Sequence, residues 1–488
     1  MDDSRFLSEE AARCLHCADA PCTAACSAGK DPARGIRAVR FDNAANAGLY
    51  FSEASCRDCA APCEAACIHY DRPVRIRRMA ELLPPRESAP AADLSIEFCG
   101  FKCENPFFLA SSAICTNYEM VARALKAGWG GVFFKTICLE EINEVSPRFD
   151  AVHGKAGGFA GFRNMEQLSE NPPEEDFATL SRLKREFPSK MIVASIMGQD
   201  EKEWIRLAQM AEEAGVDAVE LNYSCPQMRY AGMGSDVGQN GELVTVYTAM
   251  VKRKCKIPVI AKMTPNITHI TVPAMAAFFA GADGLSGINT IKSVTMDDAS
   301  AVSGMKTVSG YSGRAVKPIA LRHILEMSAN PLMKGLQLSG IGGIETWRDA
   351  LEFIQLGCRN VQVCTAVMEY GYRIVEDLKA GLSAYLQERG AASLGELVGE
   401  QIKCFTLPSE LDRTTVVFPV IDRARCIGCG RCRISCEDGG HQAIRFDEDR
   451  RPRIDGKKCV GCHLCRLVCP TGAIGVSKRI PKSKFNKA

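Results

Sequence analysis

The sequence predicts an α/β chain: a (β/α)₈ barrel flanked by an α-helical and an α+β segment, both rich in cysteine. Three observations predict it. Eight strand-then-helix units run from about residue 105 to 386, eight cysteines lie between Cys14 and Cys67, and eight more lie between Cys426 and Cys469. A chain of 488 residues is longer than one core usually serves, so two to four domains are expected. Its 46% apolar and 24% charged residues are those of a soluble globular protein.

The barrel units are read in order. NPFFLAS leads to NYEMVARALKAG; GVFFKTI leads, after a long polar insertion, to FATLSRLKREF. KMIVASI precedes EKEWIRLAQMAEEAG, DAVELNYS precedes GELVTVYTAMVKRKC, and PVIAKMT precedes TVPAMAAFFAGA. GLSGINT, GLQLSGI and NVQVCTA are followed by KPIALRHILEMSA, TWRDALEFIQLG and YRIVEDLKAGLSAYL. Eight such units are the count of a closed barrel; an open doubly wound sheet is the competing reading. Barrel chemistry sits at the C-terminal ends of the strands. Those ends read SS, KT, SIMG, NYSC, KMT, NT, SGIGG and CTA, small or polar residues after apolar runs.

The last segment contains CIGCGRCRISCE and CVGCHLCRLVCP, both with the spacing C-x₂-C-x₂-C-x₃-C. This is the two-cluster ferredoxin run, in which the fourth cysteine of each run serves the other cluster. Cys426, Cys429, Cys432 and Cys469 are therefore expected to hold one [4Fe–4S] cluster, and Cys459, Cys462, Cys465 and Cys436 the other. Zinc needs four thiolates but has no use for such interleaving. The N-terminal segment is less regular, C-x₂-C-x₄-C-x₃-C from Cys14 and C-x₂-C-x₃-C-x₃-C from Cys56. Eight thiolates suffice for two cubanes, with two structural zinc sites as the alternative. The expected domains are 1–82 (helical, iron–sulfur), 83–93 (Pro/Ala-rich linker), 94–403 (barrel), 404–420 (linker), 421–479 (ferredoxin-like) and 480–488 (basic tail).

A net charge of +2 offers no bulk electrostatic case for nucleic acid. No run approaches the roughly 18 to 20 apolar residues of a membrane helix, and MDDSRFLSEEAARC lacks the apolar core of a signal peptide. The cytoplasm is the expected location.

From about Asp93 onward the chain resembles the FMN-containing subunit of bacterial dihydropyrimidine dehydrogenase and the matching domains of the long animal enzyme. NYSCPQM with GMGSDVGQ, AKMTPNI, INTIKS, SGYSGRAVKPIALR, SGIGGIETW, GYRIVEDLKAGL and EDGGHQAI carry the resemblance. RCLHCADAPCTAAC is similar to the helical cluster domain shared by the long enzymes and the small subunit of glutamate synthase. The resemblance implies a dihydroorotate-dehydrogenase-like barrel holding FMN, and reduction of the 5,6-double bond of uracil or thymine. It implies flavin contacts from Ala110, Ser111, Lys135, Thr136, Asn164 and Lys262. It implies backbone N–H groups for the phosphate at Gly313, Gly342, Gly343, Thr365 and Ala366. Glycine lets a backbone approach an oxyanion, and barrel loops seven and eight are the usual phosphate site, so this role also makes physical sense.

For the pyrimidine the matching residues are Asn164, Glu166, Asn222, Asn289 and Thr290. Amides and a carboxylate suit a ring edge that alternates acceptors and donors. Hydride delivered to ring carbon C6 requires a proton at C5. A thiol is mostly protonated at neutral pH yet acidic enough to donate, so Cys225 is the expected acid, with Ser224 orienting it. Glu166 would disfavour orotate by repelling its carboxylate, unless a lysine intervenes.

In the long enzyme a glutamine ligates the second N-terminal cluster; here that position falls near Ala80. The expected sets are Cys26, Cys56, Cys59 and Cys63 for that cluster, and Cys14, Cys17, Cys22 and Cys67 for the other. No strand–GxGxxG–helix unit occurs, so electrons are expected from a partner, either an FAD/NAD(P)H flavoprotein subunit or a ferredoxin, in a hetero-oligomer or homodimer. Dihydroorotate or another activated alkene is the alternative substrate class, and an electron-transfer subunit with an idle barrel is the alternative function.

Overall fold

A computed structural model describes residues 3–51, 56–86, 91–154, 158–226, 228, 232–296 and 307–482. The chain divides into two compact units, Met1–Ile402 and Lys403–Ala488. Gln227 of the NYSCPQM motif, part of the first linker (87–90) and most of the basic tail (483–488) lie outside the described residues.

In the first unit the eight apolar runs are strands β1 (Phe107–Leu109), β2 (Gly131–Phe133), β3 (Met191–Ile196), β4 (Ala218–Asn222), β5 (Val259–Lys262), β6 (Gly284–Gly287), β7 (Leu338–Ile341) and β8 (Cys358–Val363). They pair in chain order, all parallel, and β8 closes on β1. Closure removes the open-sheet alternative. Each strand is followed by its helix, and four of the helix starts are capped by a side chain. Asn117, Asp200 and Asn240 accept from backbone N–H groups two or three residues on, and Thr346 forms a capping box with Asp349. Phe107, Phe108, Trp129, Phe133, Trp204 and Phe353 are fully buried between barrel and helices. A hairpin, Ile96–Phe98 with Phe101–Cys103, covers the N-terminal end: Phe98 is buried beside Gly284, and Cys99 N–H donates to Gln337 just below β7.

The polar insertion after β2 is not unstructured. It supplies two strands, Phe149–His153 and Phe159–Asn164, that join Ser309–Ser312 and Ile291–Ser293 in a four-stranded antiparallel sheet. Arg163 pins this sheet. Its side chain is fully buried and donates to Ser309 Oγ at 3.0 Å, Thr307 O at 2.9 Å, Thr295 Oγ1 at 2.5 Å and Asp150 Oδ2 at 3.2 Å.

The N-terminal segment is helical with a small core of its own around Phe6, Ile36, Phe51 and Met79. It packs on the barrel's last two helices. Arg37 reaches Asp377 at 2.5 Å and Glu376 at 2.9 Å, and Trp347 Nε1–H donates to Asp42 O at 2.9 Å.

The second unit is α+β. Helices Arg431–Gly439 and Leu464–Leu467 accompany three two-stranded pairs. Residues placed in the second linker on composition take part: Pro419–Ile421 pairs with Ile474–Val476, and Thr415–Val416 with Ile480–Pro481. These strands are two or three residues long, too short to leave a periodic signature.

Candidate active site

A cavity of about 990 Å³ opens at the C-terminal ends of the barrel strands. Of the seventeen residues expected at the flavin, substrate or catalytic positions, all but Ser224 line it. β1 and β2 end in Ala110, Ser111, Lys135 and Thr136. β4 and β5 bring Asn222, Cys225 and Lys262; the stretch after β6 brings Asn289 and Thr290. Asn164 and Glu166 come from the end of the insertion sheet, which therefore forms part of the site wall.

One end of the cavity is a backbone cradle. Gly342 and Gly343 after β7 have φ of 131° and 73°, a region that favours glycine. A Cβ on Gly343 would lie 2.8 Å from Gly313 O and 2.9 Å from Lys317 N, so the loops close on each other without room for a side chain. Ser312 Oγ and Thr365 Oγ1 lie 3.1 Å apart and tie the third strand of the insertion sheet to the end of β8. A space that excludes side chains and is rimmed by backbone fits a phosphate.

At the other end, hydroxyls and amides hold one another. Asn222 Oδ1 accepts from Ser224 N–H at 3.1 Å and Ser224 Oγ–H at 2.7 Å, while its Nδ2 donates to Thr136 Oγ1 at 2.9 Å. Asn289 Nδ2 donates to Ser224 Oγ at 2.9 Å. Ser224 is fully buried behind the cavity, and these bonds make it the bracket of two amides. Asn164 Oδ1 accepts from Glu166 N–H at 2.7 Å. Asn222 and Asn289 each donate one N–H within this network and carry a second, since an amide has two donors. Cys225 is buried with one face on the cavity, and its carbonyl is held by Ser235 N–H at 2.9 Å.

The repulsion argument against orotate does not survive. Glu166 is buried and ion-paired, 2.6 Å from Lys135 Nζ and 3.2 Å from Arg148 Nη1. A carboxylate between two cations offers little repulsion to a second anion. The intervening lysine is one the reading had assigned to the flavin, so the pair was invisible without geometry.

Several cavity residues were missed. Gln362 on β8 and Cys364 just beyond it line it, as does Glu345 after the glycine pair. Burial pushes Glu345 up to about 7 despite Arg314 at 3.1 Å, and burial likewise raises Cys364, whose thiol donates to Ser112 Oγ at 3.2 Å. Gln362 had a signal: it sits two positions before Cys364 on the same strand face.

The cysteines converge as two interleaved pairs of sets. In the second unit one cavity of about 340 Å³ is lined by Cys426, Cys429, Cys432 and Cys469, and another of about 340 Å³ by Cys436, Cys459, Cys462 and Cys465. Backbone N–H groups of Ala443 and Ala473 donate to Cys436 Sγ and Cys469 Sγ at 3.3 Å. In the helical segment Cys26, Cys56, Cys59 and Cys63 line a cavity of about 320 Å³, while Cys14, Cys17, Cys22 and Cys67 interact as a second group. Four thiols converging on one recess are the donor set a cubane requires. The segment also holds a repeat that went unread. Ala20–Cys26 and Ala61–Cys67 both spell A-P-C-x-A-A-C, each entering a short helix from an alanine in the left-handed region (φ 45° and 54°). Each copy sends its two cysteines to different sets. Ala80 is buried in the helical core.

No helix among the described residues is long and apolar enough to cross a membrane. Residues 93–386 match the dihydroorotate dehydrogenase family model, and 419–476 match a 4Fe-4S dicluster domain. The chain is 52% identical over 365 residues to the NAD-dependent dihydropyrimidine dehydrogenase subunit PreA of Escherichia coli K12, covering 74% of this chain and 89% of that one. It is 39% identical over 343 residues (67% and 80%) to the chloroplastic dihydropyrimidine dehydrogenase (NADP(+)) of Arabidopsis thaliana. It is 36% identical over 313 residues (64% and 99%) to the catalytic subunit of dihydroorotate dehydrogenase B (NAD(+)) of Pyrococcus abyssi. With its barrel, cavity and cysteine sets, the chain belongs to the dihydroorotate dehydrogenase family, among the FMN- and [4Fe–4S]-containing dihydropyrimidine dehydrogenases.

Proposed function

We propose that this chain reduces the 5,6-double bond of uracil and thymine, with Cys225 as the proton donor and a separate flavoprotein subunit or ferredoxin as the electron source. FMN, when bound, supplies a hydride to C6, its electrons arriving through the clusters. The chain's own residues do the rest. Amide N–H groups of Asn164, Asn222 and Asn289 hold the ring carbonyls and stabilise negative charge that develops on oxygen as C6 is attacked. Thr290 and Glu166 complete the polar wall. Ser224, which touches no reacting atom, fixes Asn222 and Asn289 in register. Cys225 delivers H⁺ to C5, so hydride plus proton complete the addition of H₂. Lys135 and Lys262 face the flavin ring, and the Gly313, Gly342, Gly343, Thr365 and Ala366 backbone cradles its phosphate.

The observation that carries this reading is the convergence of one thiol and three amides on a single cavity whose far end is a side-chain-free cradle. The Escherichia coli relative is named as a subunit of an NAD-dependent enzyme, which supports an electron source on another chain. Protein reduced with dithionite under anaerobic conditions tests it. Uracil or thymine should reoxidise the flavin band, and Cys225→Ala should slow that step by about 10²- to 10⁴-fold, the worth of a positioned general acid, with uracil still bound. Reoxidation by orotate or other alkenes alone would move the substrate assignment. Reoxidation by no alkene would leave an electron-transfer subunit, and an unimpaired C225A would remove the thiol from the mechanism.

A further inference from the structure

Barrel interiors are ordinarily filled by branched apolar side chains. Here β4 places a carboxylate, Glu220, inside the barrel one layer below Asn222, and it is fully buried. Ser195 Oγ on β3 donates to its Oε1 at 3.0 Å, and Ser286 Oγ on β6 to its Oε2 at 2.6 Å. Lys262 Nζ, from β5, lies 3.6 Å from Oε1. The strand registers put these groups side by side: Ser195 opposite Glu220, and Lys262 between Asn222 and Ser286. Glu220 does not line the cavity, but Lys262 does. Ser195 continues the chain upward, 3.0 Å from Thr136 Oγ1, which is bonded in turn to Ser111 and Asn222.

Stability does not explain this arrangement. A buried ion pair is commonly no better than well-packed apolar residues of the same volume. Each member matters instead for what the other presents. Without Glu220 the Lys262 ammonium would lose its carboxylate partner and its charge would stand unbalanced at the cavity floor.

We propose that Glu220 is a positioning residue: it holds the Lys262 ammonium at the cavity floor and offsets its charge, and so sets how strongly the site favours reduced over oxidised flavin. The inference rests on Lys262 facing the flavin ring, and the experiment separates the two claims. Flavin midpoint potentials would be measured against reference dyes in Glu220→Gln, Lys262→Met and the double variant, with flavin content determined on each. E220Q leaves the lysine charge unbalanced and should favour the reduced, anionic flavin at least tenfold, about 30 mV for a two-electron couple. K262M leaves the carboxylate unbalanced and should shift at least as far the other way. The double variant should return near wild type, and Glu220→Asp, which keeps the charge, should move the potential less than E220Q. A merely structural role predicts no such opposition of sign. If K262M shifts the potential but E220Q leaves it unchanged or lowers it, the role of Glu220 is overturned while the lysine assignment stands. If K262M shifts nothing, the lysine assignment fails and takes the inference with it. Should E220Q not retain flavin, Ser195→Ala and Ser286→Ala remove the donors that favour the ionised carboxylate. Each should give a smaller upward shift, and no shift in both would overturn the proposal.

Discussion

Replacing Arg163 with Met should loosen the insertion sheet while leaving the barrel intact. The guanidinium is fully buried, joins three strands of that sheet through Asp150 and Ser309, and also donates to Thr295 and Thr307. Removing one partner of a buried ion pair costs about 3 to 5 kcal/mol. The lower end applies, because Asp150 retains 19% side-chain exposure and water will repair part of the loss. Methionine keeps most of the apolar volume, so about 3 kcal/mol is charged to the local opening of the sheet, a shift of about 10²-fold in its equilibrium. Amide hydrogen exchange reads this directly. Protection across 149–164 and 309–312 should fall by about two orders of magnitude, with β3 and β4 little changed. Asn164 follows Arg163 and faces the cavity, so uracil affinity should fall as well. Unchanged exchange in the sheet would refute the reasoning, and so would an equal loss throughout the barrel.

Two further outcomes follow from other sites. Cys436 lies in the first cysteine run but shares its cavity with Cys459, Cys462 and Cys465; Cys436→Ala should therefore remove the cluster of the second run, seen as loss of about four iron atoms per chain and of one EPR signal. Retention of the second-run cluster with loss of the first would disprove the interleaving. Burial raises Glu345 from 4.5 to about 7, so the folded state holds its proton more tightly than the unfolded chain does. The contribution of this group is intact below about pH 4.5, declines as pH rises to about 7 and is flat beyond. Glu345→Gln should remove that decline, so the variant's thermal midpoint gains on wild type between those limits; a constant difference across the window would contradict the burial argument.

The barrel was legible because each strand is a mostly apolar run followed by a helix, and four of those helices begin at a side-chain cap. The two ferredoxin runs were legible because spacing alone states which thiol crosses to which cluster. The insertion sheet was not. FDAVH and FAGFRN mix polar with apolar residues and pair with each other, the strand on the far edge of FAGFRN, Ser309–Ser312, lies about 150 residues on, and the residue that pins them is an arginine, a type that is almost never fully buried unless paired. Glu220 was equally hidden in plain view. One polar letter in VELN marks an inward or an outward position equally well, and only β3, β5 and β6 decide which. The cavity residues at strand ends were readable because polarity there breaks an apolar run at a place where a barrel keeps its chemistry.

The two lysines show why the remaining electrostatics needed coordinates. Lys135 and Lys262 both line the cavity, and each has a buried carboxylate: Glu166 at 2.6 Å and Glu220 at 3.6 Å. The end of the cavity assigned above to the flavin ring is therefore built from lysines that each have a carboxylate partner. At the other end Gly342, Gly343 and Gly313 offer backbone, with Glu345 and Arg314 as a third pair behind them. An unbalanced lysine at the ring end would attract the phosphate of the same ligand and permit it to enter reversed. Pairing each cation leaves the cradle, among the described residues, as the place where an oxyanion finds backbone donors without displacing a carboxylate. On the proposed placement of FMN, Glu166 and Glu220 would therefore set the polarity of the cofactor together with the glycines, although neither carboxylate lies at the phosphate end.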